Sequence, residues 1–513
     1  MERLRKPPRY VIASILCSCG GLLFGMDTGI IGPVTTMDSF VEKFGNRSAT
    51  VHGLLVSSIL IPAAISSFFA GYLADKFGRP QGISIGTLIF GFGAALEAGA
   101  VHVSMFVLGR CIEGIGEGLY LGTLVVYICE ISPPGVRGAL TTGPQLLITL
   151  GLVIGFFTCY GTARIESSMS WRTPFLILAC ISVLFSTAAF LWLVPSPRWL
   201  TIRGHKEEAN AVWDLLGVSH AEREKSEIEQ SRGSVIQGPV SQEVAVTNVS
   251  SMDPAVTTPH IGDRSIKHKL FDIFSKDVRS RTALAVFLMA MQQLSGIDGV
   301  LYYAPLLFEQ AGLASADASF FASGVSALVI FAVTIPALIW ADNWGRRHSV
   351  IYGGVGISLT MFLMGALYAS NAVHGSTGAG RWVVIVSIYI FAVIFSLSWA
   401  VGIKIYAAEI QPQRTRASAT SLAHGSNWAT NFLVALTTPI LLDKSSFGAY
   451  FLFGGCSLIT AVVCAVYMPE TKGRSLDEIE DAFKSRSTRP WSLMKAVEPI
   501  ARRAPESIRM PVI

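Results

Sequence analysis

Twelve predominantly apolar stretches, each close to the roughly 20 residues a helix needs to cross a bilayer core, follow one another along this chain. They are expected at 10–32, 52–74, 82–102, 105–130, 139–161 and 173–194, then at 282–311, 318–341, 349–370, 382–408, 416–441 and 448–468. A length of 513 residues would otherwise suggest several soluble domains of about 100–200 residues each. Composition argues against that. Only 15% of residues are charged, where soluble proteins carry about 25%, and 51% are hydrophobic. Disorder, a coiled coil and a secreted disulfide scaffold are excluded by the same figures. The expected fold class is an all-α membrane protein of twelve transmembrane helices.

Charge and cysteine narrow the reading. The net charge of +5 is carried in short basic clusters between apolar stretches, which suits membrane orientation and not a nucleic-acid face. The eight cysteines (Cys17, Cys19, Cys111, Cys129, Cys159, Cys180, Cys456, Cys464) all lie in apolar stretches and read as free thiols packed among helices. The basic run Arg3, Arg5, Lys6 and Arg9 before an apolar stretch imitates a signal peptide. That stretch contains Asp27 and lacks a small-residue cleavage site, so it is expected to remain as the first span.

Basic residues in the short loops do not set the orientation. Lys76, Arg79, Arg137, Arg346, Arg347, Arg414 and Arg416 are matched by Lys43, Arg47, Arg164, Arg172, Arg381 and Lys444 on the other side. The basic N-terminus, central loop and tail place both termini in the cytosol of a multi-pass plasma-membrane protein. Asn46-Arg47-Ser48 then lies outside, with Asn46 open to glycosylation, and Asn248-Val249-Ser250 faces the cytosol. The expected organisation is a cytosolic N-terminus (1–9), a six-helix half (10–195), a cytosolic linker (196–281), a second six-helix half (282–468) and a cytosolic tail (469–513). Within the linker, 205–230 has apolar Ala209, Val212, Leu215 and Leu216 at helical spacing, and 267–276 reads as another short helix. The Ser-, Val-, Thr- and Pro-rich stretch 231–264 reads as a disordered insert.

The two halves repeat one design. Asp75-Lys76-Phe77-Gly78-Arg79 after span two returns as Asp342-Asn343-Trp344-Gly345-Arg346-Arg347 after span eight. Tyr127-Ile128-Cys129-Glu130-Ile131, with Pro133 and Arg137, ends span four; Tyr406-Ala407-Ala408-Glu409-Ile410, with Pro412, Arg414 and Arg416, ends span ten. Duplicated halves with a site between them are the mark of secondary transporters. Acids and bases at these helix ends can pair when one side closes and separate when it opens, and the glycine permits a tight turn. The arginines alone would equally satisfy the positive-inside rule; matched Glu130 and Glu409 favour a gate.

With these strings in view, the chain resembles the sugar porter family of the major facilitator superfamily across residues 10–480. The resemblance is carried by Gly25-Met26-Asp27-Thr28-Gly29, Gly109-Arg110, Pro195-Ser196-Pro197-Arg198-Trp199-Leu200, Gln292-Gln293-Leu294-Ser295-Gly296-Ile297 with Tyr302-Tyr303, and Pro469-Glu470-Thr471-Lys472-Gly473. It implies two six-helix halves related by pseudo-two-fold symmetry, rocking about a sugar held near the membrane centre, with Tyr302 and Tyr303 among the gating residues. It also implies a sugar site of Gln145, Gln292, Gln293, Asn427, Trp428 and Asn431. Carboxamides donate and accept without net charge, as sugar hydroxyls require, and an aromatic ring offers an apolar face. Gly296 and Gly299 can interrupt span seven so that these groups converge. An isolated glutamine could instead make an interhelical hydrogen bond worth about 0.6 kcal/mol.

The resemblance further implies that Asp27 takes up a proton and Arg110 controls it, since a buried charge needs a partner or water. A permanently ionised structural pair is the alternative, and with it facilitated diffusion. Two departures from the family pattern stand out. Asp298 replaces the usual Asn after Ser-Gly-Ile, and Lys404 stands where span ten normally carries the Trp of a Pro-x-Pro-Trp stretch. The two are expected to face each other across the cavity, either as a static ion pair or as a substrate-selecting device. Gly402 is then left to supply the flexibility of span ten, and Trp399 cannot replace the missing ring without a register shift. A sugar and a proton are the expected partners, in contact with membrane lipid, with no cofactor or metal and a monomer sufficient. An enzyme is not expected, because lone Ser and His residues such as His424 have no catalytic company. A non-transporting sugar sensor is the remaining alternative.

Overall fold

The computed structural model describes residues 7–45, 48–219, 222–223, 272–275, 278–313, 316–340, 345–373, 378–412, 415–472 and 483. Among these, every regular element is a helix. The first half contains α1 (Arg9–Thr36), α2 (Asp38–Phe44), α3 (Ala49–Ser57), α4 (Leu60–Phe77), α5 (Arg79–Ala98), α6 (Val103–Ile131), α7 (Pro134–Thr141), α8 (Gly143–Thr162) and α9 (Met169–Trp192). Short α10 (Pro197–Ile202) and α11 (Lys206–Leu216) follow. The second half contains α12 (Arg279–Gln293), α13 (Ile297–Tyr302), α14 (Ala304–Gln310), α15 (Ala316–Trp340), α16 (Arg346–Ala369), α17 (Ala379–Leu397), α18 (Trp399–Glu409), α19 (Arg416–Lys444) and α20 (Gly448–Tyr467). Pairs α3–α4, α7–α8 and α17–α18 and the triplet α12–α14 each make one span.

Among the described residues, eleven spans are long and apolar enough to cross a membrane. The twelfth is α19, whose 29 residues suffice in length but include His424, Asn427 and Asn431. Asn431 is buried and Asn427 partly so, and both turn inward and not toward lipid. The opposite surface is apolar: Phe69 and Tyr72 of α4, Leu184 and Trp192 of α9 and Leu359 of α16 are all more than half exposed. Such a surface is stable against hydrocarbon and not against water. The chain is a multi-pass membrane protein.

Buried apolar side chains form two clusters, one in each half. The residues that cross over are few. Tyr302, Tyr303, Phe320 and Ala435 join the first-half cluster, and Leu152 and Phe156 join the second. The helix ends define two faces, a near face where α1 begins and α20 ends, and a far face opposite. The crossing residues lie between the middle and the far face.

Near-face elements outside the spans are amphipathic. In α11, Ala209, Trp213 and Leu216 are buried, and Gly217 ends the helix in the left-handed conformation at φ 79°. A 3₁₀ turn at Asp272–Phe274 occupies part of the expected 267–276 helix. The 231–264 insert, Asn46, Asp342 and Arg414 lie outside the described residues, as does the side chain of Arg416.

A candidate sugar site between the halves

Span seven is broken where its carboxamides sit. Helix α12 stops at Gln293, and Gly296 restarts the chain at φ +85°, a conformation that favours glycine. A Cβ on Gly296 would also lie 2.5 Å from the Phe453 ring. The break converges three side chains. Gln293 Nε2 donates to Asn427 Oδ1 at 3.1 Å, Asn427 Nδ2 donates to Gln292 Oε1 at 3.2 Å and to the Met289 carbonyl at 2.8 Å, and Gln292 Nε2 donates to the Trp399 carbonyl at 2.7 Å. Two acceptors of this group are left over: Gln293 Oε1 and Asn431 Oδ1 are buried without a hydrogen-bond partner. Buried orphan acceptors are costly unless something donates to them, and a sugar hydroxyl is a donor of the right kind. Trp428, beside Asn427, presents its ring to Phe24 of the first half at 6.1 Å.

Span ten bends at Ser398 and not at Gly402. Ser398 has φ −118° and ψ −69°, ending α17 one residue before α18 begins. The cause is tertiary packing. Trp399 is fully buried against α16, where a Cβ on Gly354 would come within 2.9 Å of its ring, and its indole N–H donates to the Val350 carbonyl at 2.8 Å. Trp399 therefore does not stand in for the family's tryptophan. Lys404 occupies that place. Its side chain is exposed, and Nζ donates to Gln145 Oε1 of α8 across the halves at 3.4 Å. Asp298 lies beside Gln293, within the field of Lys404, but no ion pair of 4.0 Å or less joins Asp298 to Lys404.

Toward the far face, Arg110 is fully buried and donates to Asp27 and, at 3.1 Å, to Glu113 Oε2; Glu97 Oε2 is 3.9 Å away. The sequence reading found Asp27 and Arg110 but missed Glu97, Glu113 and Glu117, each fully buried. The signal was present: Arg110, Glu113 and Glu117 fall at i, i+3 and i+7, one face of a helix.

At the near face each half is tied internally. Arg79 donates to Glu130 through Nε (2.9 Å) and Nη2 (3.2 Å), and its Nη1 meets Asp75 at 2.7 Å. Gly78 makes the turn at φ 100°. Trp199 Nε1 and Arg203 Nη2 donate to the Asp75 carbonyl, so the Pro-Ser-Pro-Arg-Trp-Leu string fastens the span-two loop. In the second half Arg346 meets Glu409 at 3.5 Å, and Thr471 Oγ1 donates to Glu409 at 2.7 Å. Glu470 accepts from the backbone N–H groups of Arg346 and Arg347, an anion on a helix N-terminus. Gly345 is needed differently from Gly78. Its φ is −63°, but a Cβ there would lie 2.6 Å from Glu470 Oε2. Arg347 turns away from Glu409 to the Ala465 carbonyl, and Arg137 donates to the Ser132 carbonyl.

The far face is shut by backbone. A Cβ on Gly32 would lie 1.9 Å from the Tyr302 carbonyl oxygen, and one on Gly53 2.4 Å from that of Leu436. Tyr303 stacks edge-on with His52 of the first half and donates to the Ala435 carbonyl at 2.7 Å. With one face sealed and the polar cluster between two separable cores, the architecture is that of an alternating-access carrier.

Comparison with known proteins agrees. The family model described as sugar (and other) transporter matches residues 13–483, and the chain belongs to that family. It is 30% identical to Sugar transport protein MST3 of Oryza sativa subsp. japonica over 92% of this chain and 90% of that one. It is 30% identical to Hexose transporter 2 of Kluyveromyces lactis over 95% and 86%. Among solved structures it resembles the xylose transporter XylE from E. coli in a partially occluded inward open conformation, with TM-score 0.70, 25% identity and coverage of 91% and 100%. XylE described as a proton:xylose symporter bound to 6-bromo-6-deoxy-D-glucose matches with TM-score 0.72, 25% identity and coverage of 92% and 99%. The protein is a sugar transporter of the major facilitator fold.

Proposed function

We propose that this chain carries a monosaccharide, a hexose or a pentose, across the plasma membrane together with a proton, with its near face and both termini in the cytosol. The observation that carries the reading is the carboxamide cluster of Gln292, Gln293 and Asn427 at the break in span seven, with the buried acceptors Gln293 Oε1 and Asn431 Oδ1 still unsatisfied. Gln145 and Lys404, in contact across the halves, border the sugar site on its near side. The Asp27–Arg110 pair supports coupling: protonating Asp27 removes the charge that holds the arginine, and so changes which partners Arg110 keeps. The description of XylE as a proton:xylose symporter is consistent with it. One chain holds every residue invoked, so a monomer is sufficient.

The test is radiolabelled uptake in cells lacking their own sugar carriers, with glucose, xylose, arabinose, galactose and galacturonate, with and without an uncoupler. Uptake of one sugar that collapses with the proton gradient is the expected result. Uptake indifferent to the uncoupler would make the protein a facilitator and Asp27 a structural anion. Absence of uptake by protein verified at the cell surface would favour a sensor.

A further inference from the structure

The acidic group beneath the far face holds more carboxyl side chains than its cation can balance. Asp27 on α1, Glu97 on α5, and Glu113 and Glu117 on α6 are each at most 2% exposed, and Arg110 is the guanidinium among them. Arg110 reaches Asp27, Glu113 and, at 3.9 Å, Glu97. Glu117 receives none of these contacts. Both of its carboxyl oxygens are buried without a hydrogen-bond partner, as are those of Glu97, which has the Arg110 guanidinium at 3.9 Å, and so is the Tyr120 hydroxyl three residues on.

Arg110, Glu113, Glu117 and Tyr120 fall at i, i+3, i+7 and i+10, so they line one face of α6 from the far side toward the middle. The other titratable groups within the field of this stripe are Asp27 on α1, Glu97 on α5, Cys111 beside Arg110 on α6 and, from the second half, Tyr302 on α13. Helix α4 turns Ala63 and Ser66 toward the adjoining Gly118. An ionised carboxylate with no partner in such a place is prohibitive, and the single guanidinium is already engaged by Asp27 and Glu113. In this conformation Glu117 therefore holds a proton, while Asp27 is already in its ion pair.

We propose that Glu117 is a second proton-carrying group of the transport cycle, loaded from the far side and discharged toward the near side after Asp27, so that more than one proton accompanies each sugar. The inference rests on the proton-coupled reading above. It follows from the arrangement of the stripe, since the carboxyl that Arg110 does not reach is the one furthest from the far face. The protons moved per sugar count the difference in protons bound between loaded and unloaded states.

The experiment is the proton-to-sugar ratio of the full-length carrier in proteoliposomes, read from the sugar gradient sustained against a set pH gradient. A ratio above one in the unmodified carrier, falling about twofold in the near-isosteric Glu117→Gln, is the expected result. A ratio of one in the unmodified carrier, or a higher ratio that Glu117→Gln leaves unchanged, overturns the proposal. If Glu117→Gln fails to reach the membrane, the unmodified ratio still decides. Sugar flux that moves no protons at all would instead remove the coupled reading beneath it.

Discussion

Arg79 and Glu130 share two parallel hydrogen bonds, at 2.9 and 3.2 Å, whereas their counterparts Arg346 and Glu409 meet once, at 3.5 Å. The duplicated motif is thus asymmetric in use. Glu130 is spent wholly on its arginine and its side chain is 5% exposed; Glu409 is 33% exposed and shares its second oxygen with Thr471.

Unequal ties should fail unequally. Glu130→Gln leaves a buried guanidinium half-satisfied, at a cost of about 3–5 kcal/mol, whereas the more exposed Glu409→Gln should cost about 1 kcal/mol or less. Thermal unfolding of the purified carrier in detergent measures both. Equal shifts in midpoint would sink the asymmetry.

Substrate contacts should separate from structural ones. Gln293→Leu or Asn431→Leu removes an acceptor with no internal partner, so KM should rise about tenfold, or ~1.4 kcal/mol; Gln293→Leu also gives up the bond to Asn427, at about 1 kcal/mol of stability. Gln292→Leu also breaks the bond to the Trp399 carbonyl, so it should lower both the maximal rate and the melting midpoint. Kinetics of the transported sugar alongside melting curves distinguish the two classes.

Proton coupling has a definite sign. Under the proposed coupling, uptake by the unmodified carrier should quicken as the far side becomes more acidic, because the proton is then a co-substrate. Asp27→Asn keeps the size of the side chain but cannot exchange a proton, so its uptake should depend less steeply on far-side pH and respond less to an uncoupler, with Glu117 the carboxyl that remains. A pH profile of initial rates is the check, and a profile in Asp27→Asn as steep as that of the unmodified carrier would be incompatible with the role given to that carboxylate.

The spans, the repeat and the break in span seven were legible in the sequence because each is written in local chemistry: runs of apolar residues, matched charged strings and a glycine beside paired glutamines. Other features depend on partners far along the chain. Ser398 bends because Trp399 inserts between α16 and its neighbours, which Gly402 four residues away does not reveal. Gly345 looks like a turn glycine until Glu470 is found against it. Glu113 and Glu117 were hidden for another reason: averaging over an apolar span obscures acids that fall one helical turn apart.

Lys404 and Asp298 offer a double-mutant test. They lie in each other's field without a direct ion pair, so either change alone leaves an unmatched charge beside the sugar site. Lys404→Met and Asp298→Asn should each impair uptake severalfold, and the pair together should be milder than the product of the two. Strict multiplicativity in initial rates would mean the two charges act independently.

The seal at Gly32 and Gly53 is made where main chain meets main chain, with no charge on either side. A door of that kind offers dissolved ions no ion pair to screen. The ties at Arg79, Glu130, Arg346 and Glu409 are ionic, so the two ends of the carrier should answer to different solvents. Changes of salt at the far face should pass its door unnoticed, while the ionic conditions at the near face bear on the other.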